Sequence, residues 1–384
     1  MLHVVFCWEL GDGLGHIVPL AALSRQMVIM GYRVTCILKD TTHAPRLLEP
    51  YGVTWFEAPR FPRLSNPIFA INHADILHNT GYSTSEQVSS LLVAWRAILT
   101  TVKADLVFCE SAPTARLAAL SLSIEVRSID SGFAMPPMPN EKTGFMPAIR
   151  PEVLTEQLAA SETRTLSVIN EGLVRLRLNP LSSFSHLFQG DVWYRNWCDF
   201  NHFSMHSPER HLGQIEAVGG GVLPIWPKNG ARKLFAYLKY SHPASLLILQ
   251  AAIRLGYEVV AYLPDFPASV VSELVAAGCT ISTSVMYRLD QLSSEIDIAL
   301  WHSATGAAAH CLEKGIRMIF FPMHPEQYLA CSALRRLGLN IHIVTRTEKW
   351  TEVLEAVQAW PKQAFPGRWK LTNAPDFAAR ILLN

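Results

Sequence analysis

Twice along this chain, short β-rich apolar runs alternate with segments of helical spacing, and that alternation leaves few folds open. Residues 2–10 (LHVVFCWEL) form a mostly apolar run, as expected of a strand buried on both faces. Residues 11–15 (GDGLG) predict a flexible loop. Helical spacing follows over 17–30, with Pro19 near the first turn and Gly31 just past the end. Residues 32–38 (YRVTCIL) predict the next strand and 53–56 a third. Further on come a helix over 87–103, a strand over 105–109 (DLVFC), a helix over 113–122 and a strand over 125–129. Such alternation argues for a parallel sheet covered by helices.

The middle is less regular. Pro136, Pro137, Pro139 and Pro147 mark a long loop, and a helical stretch spans 151–178. Residues 184–203 are rich in aromatic side chains, which either pack a core or form a wall for a bound molecule. Gly219, Gly220 and Gly221, with Pro224, Pro227 and Gly230 behind them, read as a linker. Alternation then resumes, with strands over 233–238, 258–263, 280–282, 296–301, 317–321 and 340–344. Helices over 243–255, 267–277, 306–314 and 326–337 separate them. Two α/β domains of similar size follow: residues 1–218, a linker over 219–230, and residues 231–365.

Composition narrows the function. With 384 residues, 49% apolar and only 17% charged, the chain can fill two large cores. A net charge of +1 argues against a protein that wraps nucleic acid. Seven scattered cysteines without a Cys-x-x-Cys motif predict neither a disulfide framework nor a zinc knuckle, and point to a reducing, cytoplasmic compartment. Glu9 and Asp12 interrupt the N-terminal apolar stretch, so no signal peptide is expected. No uncharged apolar run reaches the ~18–20 residues of a membrane span. The positive mean hydropathy leaves room for peripheral membrane contact.

The loop Gly11-Asp12-Gly13-Leu14-Gly15-His16 invites a dinucleotide reading. That fingerprint needs Gly-x-Gly-x-x-Gly, and its third glycine falls where His16 stands, so NAD or FAD is disfavoured. A histidine at the mouth of a helix, beyond the carboxyl end of a parallel strand, lies where open α/β sheets bind ligands. An imidazole there can accept a hydroxyl proton, and small neighbours such as Gly13 and Gly15 allow close approach. The bland alternative is that His16 merely caps the helix.

In the second half, a strand ends at Trp301-His302, and Ser303, Ala304, Thr305, Gly306 and Ala307 open a helix. Backbone N–H groups at a helix start bind phosphate, and small side chains keep the approach open. His302 can reach a phosphate oxygen. The next strand ends before Pro322, and Glu326 and Gln327 stand at the same sheet edge, able to hold sugar hydroxyls.

These residues resemble the nucleotide-sugar signature of the UDP-glycosyltransferase superfamily with the GT-B fold, H-G-G-x-G-T-x-x-E-A-L-x-x-G-x-P, a strand, then P-x-x-x-D-Q. His302, Gly306, Leu312, Gly315, Pro322 and Gln327 match. Ser303 and Ala304 replace the paired glycines, Ala307 the threonine, and Glu326 the aspartate. The glutamate that grips ribose in the family falls at His310. Near the N-terminus, Gly15-His16-Ile17-Val18-Pro19-Leu20 resembles the family's G-H-x-x-P-L opening.

The resemblance implies two Rossmann-like parallel-sheet domains facing a cleft. The first would bind the acceptor and the second a UDP- or dTDP-sugar, which is a co-substrate rather than a bound cofactor. It implies that residues 366–384 pack back on the first domain. It casts His16 as general base, Glu110 as the carboxylate that orients it, and Asp12 as a second candidate for either role. Lys239 would neutralise diphosphate, and Tyr287 and Arg288 lie where the family places the nucleobase. The chain has no Asp-x-Asp pair, the metal-holding motif of the other common glycosyltransferase fold, so transfer is expected to be metal-independent, and the resemblance implies a single displacement with inversion. The acceptor stays open among protein, lipid, saccharide and small molecule. Two rivals are a nucleotide-sugar epimerase on the same fold and a non-catalytic nucleotide-sugar-binding homologue.

Overall fold

The computed structural model describes residues 1–135, 145, 149, 150, 152–203, 208–215, 221–226, 232–288, 296–302 and 305–383. The chain divides into two compact units. One comprises Met1–Cys198, Phe203–Val218 and Thr372–Asn384; the other comprises Asp199–His202 and Gly219–Leu371. The expected loop prolines 136, 137, 139 and 147 lie outside the described residues, as do Gly219, Gly220, Pro227 and Gly230 of the expected linker.

The first unit runs β1 (His3–Trp8), α1 (Leu14–Ile29), β2 (Arg33–Leu38), α2 (Ala44–Leu47), β3 (Thr54–Glu57), α3 (His73–Asn79), α4 (Ser85–Val102), β4 (Leu106–Glu110), α5 (Pro113–Ser121), β5 (Glu125–Asp130), α6 (Thr155–Arg175) and β6 (Asp191–Tyr194). Its six strands lie in the order β3-β2-β1-β4-β5-β6, and every neighbouring pair is parallel. Strand β1 sits at the centre and is buried along its whole length. The pleat sends alternate side chains to opposite faces. Val5 and Cys7 therefore join a core with Leu92, Trp95 and Leu99 of α4. Val4, Phe6 and Trp8 join another with Leu20, Leu23 and Met27 of α1.

The second unit runs β7 (Lys233–Tyr237), α7 (Ser245–Arg254), β8 (Glu258–Tyr262), α8 (Ala268–Ala276), β9 (Thr280–Ser282), β10 (Ile296–Trp301), α9 (Thr305–Lys314), β11 (Arg317–Phe320), α10 (Pro325–Arg336), β12 (Ile341–Ile343) and α11 (Trp350–Ala359). Its six-stranded parallel sheet has the order β12-β11-β10-β7-β8-β9. Ile248 and Leu249 of α7 pack with Trp350, Leu354 and Val357 of α11 against Leu234, Ile298 and Ile319.

The chain crosses between units more often than a single linker allows. Asp199–His202 groups with the second unit because Phe200 packs on Trp369, with ring centroids 5.0 Å apart, and Asp199 Oδ2 accepts from Trp369 Nε1 at 3.0 Å. Arg336 also donates to the Asn201 carbonyl at 2.7 Å. The return to the first unit comes at Thr372, whose N–H donates to the Gln214 carbonyl at 2.8 Å. Helix α12 (Ala374–Leu383) then lays Phe377, Ala378 and Ile381 into the core beside α1. Of the aromatic-rich segment, Phe184, Phe188, Trp193, Tyr194 and Phe200 are buried. Most of that segment therefore serves packing, and β6 runs through it.

Each sheet reverses its strand order once, between β1 and β4 in the first unit and between β7 and β10 in the second. Beyond the carboxyl ends of the strands at such a reversal, the flanking loops diverge and leave a crevice. No helix among the described residues is long and apolar enough to cross a membrane.

Candidate active site

The expected base and its carboxylate straddle the first reversal. His16 stands in the first turn of α1, just beyond β1, and Glu110 is the last residue of β4. His16 Nδ1 lies 2.7 Å from Glu110 Oε2, and both side chains are buried. The other Glu110 oxygen accepts from Arg195 Nη2 at 2.7 Å. Burial alone would raise the Glu110 pKa, but the neighbouring His16 and Arg195 outweigh it and hold the carboxyl below its usual range. An ionised carboxylate can only accept, so Nδ1 carries the proton and the ring lone pair is on Nε2. Trp8 stacks on the imidazole, with centroids 5.0 Å apart and planes 13° from parallel, and fixes the ring plane.

Two residues complete this arrangement that the sequence reading does not single out. Arg195 follows β6, and its N–H donates to the carbonyl of Asp130, which ends β5, at 2.9 Å. It therefore reaches across one strand to Glu110. Gly11 has φ +83°, and a Cβ there would stand 2.3 Å from His16 Nε2. Its bare Cα is what lets the imidazole lie against the loop. Gly13 caps α1 with φ +91°. Gly15, by contrast, faces open space.

Asp12, the second candidate for either role, is paired with Lys39. Its exposed carboxylate lies 2.8 Å from Lys39 Nζ, and the same ammonium donates to the Gly11 carbonyl at 2.7 Å. That pair pins the loop. Glu9, one residue past β1, is buried and accepts from the backbone N–H of Thr114 at 2.9 Å and from its hydroxyl. Burial pushes its pKa up to about 7, against the opposing effect of those bonds.

Near the end of β4 lies a small pocket with about 30 Å³ of space, room for little more than water. Cys109 and Ser111, which flank Glu110, line it together with apolar side chains such as Leu77, Met135 and Phe188.

At the second reversal, Lys239 follows β7 and His302 follows β10. His302 was expected to reach a phosphate oxygen, but here backbone groups hold both of its ring nitrogens. Nδ1 donates to the Phe321 carbonyl at 2.7 Å, and Nε2 accepts from the Lys239 N–H at 2.5 Å. Burial pushes its pKa down to about 4, with His242 and Lys239 adding to the shift, so the ring is neutral at pH 7. His302 thus ties together the ends of β7 and β11 and sets the Lys239 backbone. The Lys239 side chain is half-buried.

Ser303 and Ala304 lie outside the described residues. Helix α9 begins at Thr305, and Gly306, Ala307 and His310 on it are half-buried. Glu326 and Gln327 lie in the first turn of α10, beyond β11 and on the same sheet edge. Gln327 Oε1 accepts from the Met323 N–H at 2.8 Å, which helps to shape the loop before α10. Tyr287 is buried edge-on against Phe235, with centroids 5.8 Å apart. The Arg288 N–H donates to the Val222 carbonyl at 3.0 Å, while the Arg288 side chain is exposed. Among the described residues, no group of three or more His, Cys, Asp or Glu side chains is arranged to hold a metal ion.

No family model matches this chain, and no curated protein matches it in sequence. Solved structures do match in shape. A glycosyltransferase of kitacinnamycin superposes with a TM-score of 0.67 at 16% identity, over 94% of this chain and 91% of that one. The calicheamicin glycosyltransferase CalG4 gives 0.66 at 17% identity, over 93% and 90%. The Streptomyces sp. SF2575 glycosyltransferase SsfS6, complexed with thymidine diphosphate, gives 0.59 at 16% identity, over the full length of both chains. The chain has the two-sheet α/β fold of these glycosyltransferases.

Proposed function

We propose that this protein transfers a sugar from a nucleoside diphosphate sugar to a hydroxylated acceptor. The observation that carries the reading is the buried His16–Glu110 pair, 2.7 Å apart at the reversal of the first sheet. Nε2 of His16 takes the proton of the acceptor hydroxyl. That oxygen attacks the anomeric carbon, and the bond from this carbon to the diphosphate breaks, with its electron pair leaving on the nucleoside diphosphate. A single displacement of this kind inverts the anomeric centre. Glu110 holds the imidazole in the required tautomer and stabilises the imidazolium that forms, while Arg195 keeps Glu110 ionised.

The second unit supplies the donor site. The amide groups at the start of α9 and the Lys239 ammonium balance the leaving charge, so we assign no step to a metal ion. Glu326 and Gln327 border the sugar, and His310 stands where a ribose would pass. The thymidine diphosphate bound to SsfS6 supports a dTDP-sugar over a UDP-sugar.

The test has two arms. Thermal shifts with dTDP, UDP and their sugars should show the largest stabilisation with a thymidine nucleotide. Wild type and His16→Ala are then incubated with labelled dTDP-sugar and a panel of hydroxylated acceptors. Labelled product from wild type only, with dTDP binding equal in both proteins, is the expected result. Equal product from both proteins sinks the assignment.

A further inference from the structure

The small pocket near the end of β4 holds a charge that its walls do not balance. Arg116, on α5, is one of its lining residues and is 4% exposed. A guanidinium carries five N–H donors. Among the described residues, the Arg116 side chain makes one hydrogen bond, from Nη1 to Ser128 Oγ at 3.3 Å, and its buried Nε makes none. Nor does any described carboxylate form an ion pair with it. The buried acids of this region are engaged elsewhere: Glu9 with Thr114, Glu110 with His16 and Arg195, and Asp130 with Ser111 Oγ and the N–H groups of Gly132 and Ala134. The ionisable neighbour that acts on Arg116 is the Cys109 thiol, and burial pushes that group up to about 12, so it brings no negative charge at neutral pH.

The fold is shaped around this guanidinium. Gly190, with φ +130°, precedes β6, and a Cβ there would stand 2.4 Å from Arg116 Nη2. Burial without a counter-charge pulls the Arg116 pKa below its ordinary value, although it stays charged at any working pH. A buried, unpaired cation is costly unless an opposite charge completes it. The space beside it, about 30 Å³, equals the volume of one water in the liquid. A phosphate or an organic carboxylate does not fit there. A chloride ion, only slightly larger than water, does. Ser128 Oγ accepts from Arg116 and keeps its own O–H to donate, which gives the pocket a second donor. The remaining walls, among them Leu77, Met135, Leu187 and Phe188, are apolar, and such surroundings strengthen the attraction between opposite charges.

We propose that this pocket binds one chloride ion, held by the Arg116 guanidinium and the Ser128 hydroxyl, as the missing counter-charge of the core between β4, β5 and α5. The ion stabilises the fold and takes no part in sugar transfer, so the site does not depend on that reading.

Thermal unfolding of the full chain tests the proposal. Sodium gluconate is replaced stepwise by sodium chloride at constant ionic strength, because gluconate is too large for the pocket. The melting temperature should rise by about 2 °C or more and then level off, as saturation of one site on the native state requires. Bromide should act like chloride, and tetrahedral sulfate should give no saturable rise. In Arg116→Met the rise with chloride should disappear. Wild-type crystals grown in bromide locate the ion by anomalous scattering and need no variant, so misfolding of Arg116→Met leaves the proposal testable. A bromide peak within hydrogen-bonding distance of the Arg116 guanidinium is expected. A melting temperature indifferent to chloride, as water alone in the pocket would give, a rise that persists in Arg116→Met, or no bromide beside Arg116 would overturn it.

Discussion

A Cβ on Gly11 would stand 2.3 Å from Nε2 of His16, the nitrogen that takes the acceptor proton in the proposed reaction. The backbone at Gly11 is also left-handed, at φ +83°. Gly11→Ala therefore strains the loop by about 1 kcal/mol and pushes the imidazole aside. Transfer should fall roughly 100-fold, as expected of a displacement near 1 Å in a catalytic group. Gly15→Ala is the control. Gly15 lies inside α1 and a Cβ there meets nothing within 4 Å, so the protein should gain up to about 1 kcal/mol in urea unfolding. If the two variants lose activity alike, the close approach of Gly11 is not what matters.

Glu110→Gln tests the partner of His16. A glutamine amide can donate to Nδ1 and fix the opposite tautomer, which moves the ring proton to Nε2. Transfer should drop by roughly 10³- to 10⁴-fold. Arg195 also loses its buried counter-charge, at a cost of about 3 kcal/mol. The pH dependence checks the cause. Because the folded pKa of Glu110 is held below its ordinary 4.5, this group stabilises the fold above pH 4.5 and ceases to as pH falls through the folded value. The acid limb of stability against pH should be shallower in Glu110→Gln than in wild type, and parallel curves would remove Glu110 from the account.

The resemblance to the family pointed to the His16–Glu110 pair, and each residue ends a well-marked unit. The run to Leu10, its glycine loop and the helix behind it place His16, and DLVFC delivers Glu110 to the same sheet edge. Arg195 was hidden by β6, a strand of four residues inside an aromatic-rich stretch that shows no alternation. Helix α11 could have been read from Trp350, Leu354 and Val357, an apolar stripe at helical spacing. The contacts of His302 were hidden for a physical reason. Its motif position points to a ligand, but the polar groups that surround a buried imidazole are decided by neighbouring strand ends, and sequence spacing does not show them.

Glu9 titrates in the opposite sense to Glu110, although both sit at the reversal of one sheet. Its folded pKa of about 7 lies above the ordinary 4.5. Between those values the native state keeps a proton that the unfolded chain has lost, so stability declines as pH rises from 4.5 to about 7 and then levels off. The span corresponds to about 3 kcal/mol. Glu9→Gln stays neutral and can still accept from Thr114. It should match wild type in urea unfolding at pH 4.5 and exceed it at pH 8. No gain at pH 8 would mean that the carboxylate is ionised in the fold at little cost.

His302 gives a third window. Its folded pKa of about 4 lies below the ordinary 6.5, so the unfolded chain takes up a proton first as pH falls. The stability that its neutral ring contributes is complete above pH 6.5 and is lost progressively towards pH 4, again about 3 kcal/mol in all. Glu9 changes in the opposite direction over much of this range, so the measurement is the difference between variant and wild-type curves. His302→Gln can donate to the Phe321 carbonyl and accept from the Lys239 N–H without titrating, and its difference curve should rise by about one proton's slope below pH 6.5. His302→Ala leaves two buried backbone groups without partners and should lose roughly 2–3 kcal/mol at pH 7. If His302 instead grips phosphate directly, both variants should weaken dTDP binding alike. If it acts by tying strand ends together, His302→Gln should keep most of the affinity while His302→Ala loses it through the displaced Lys239.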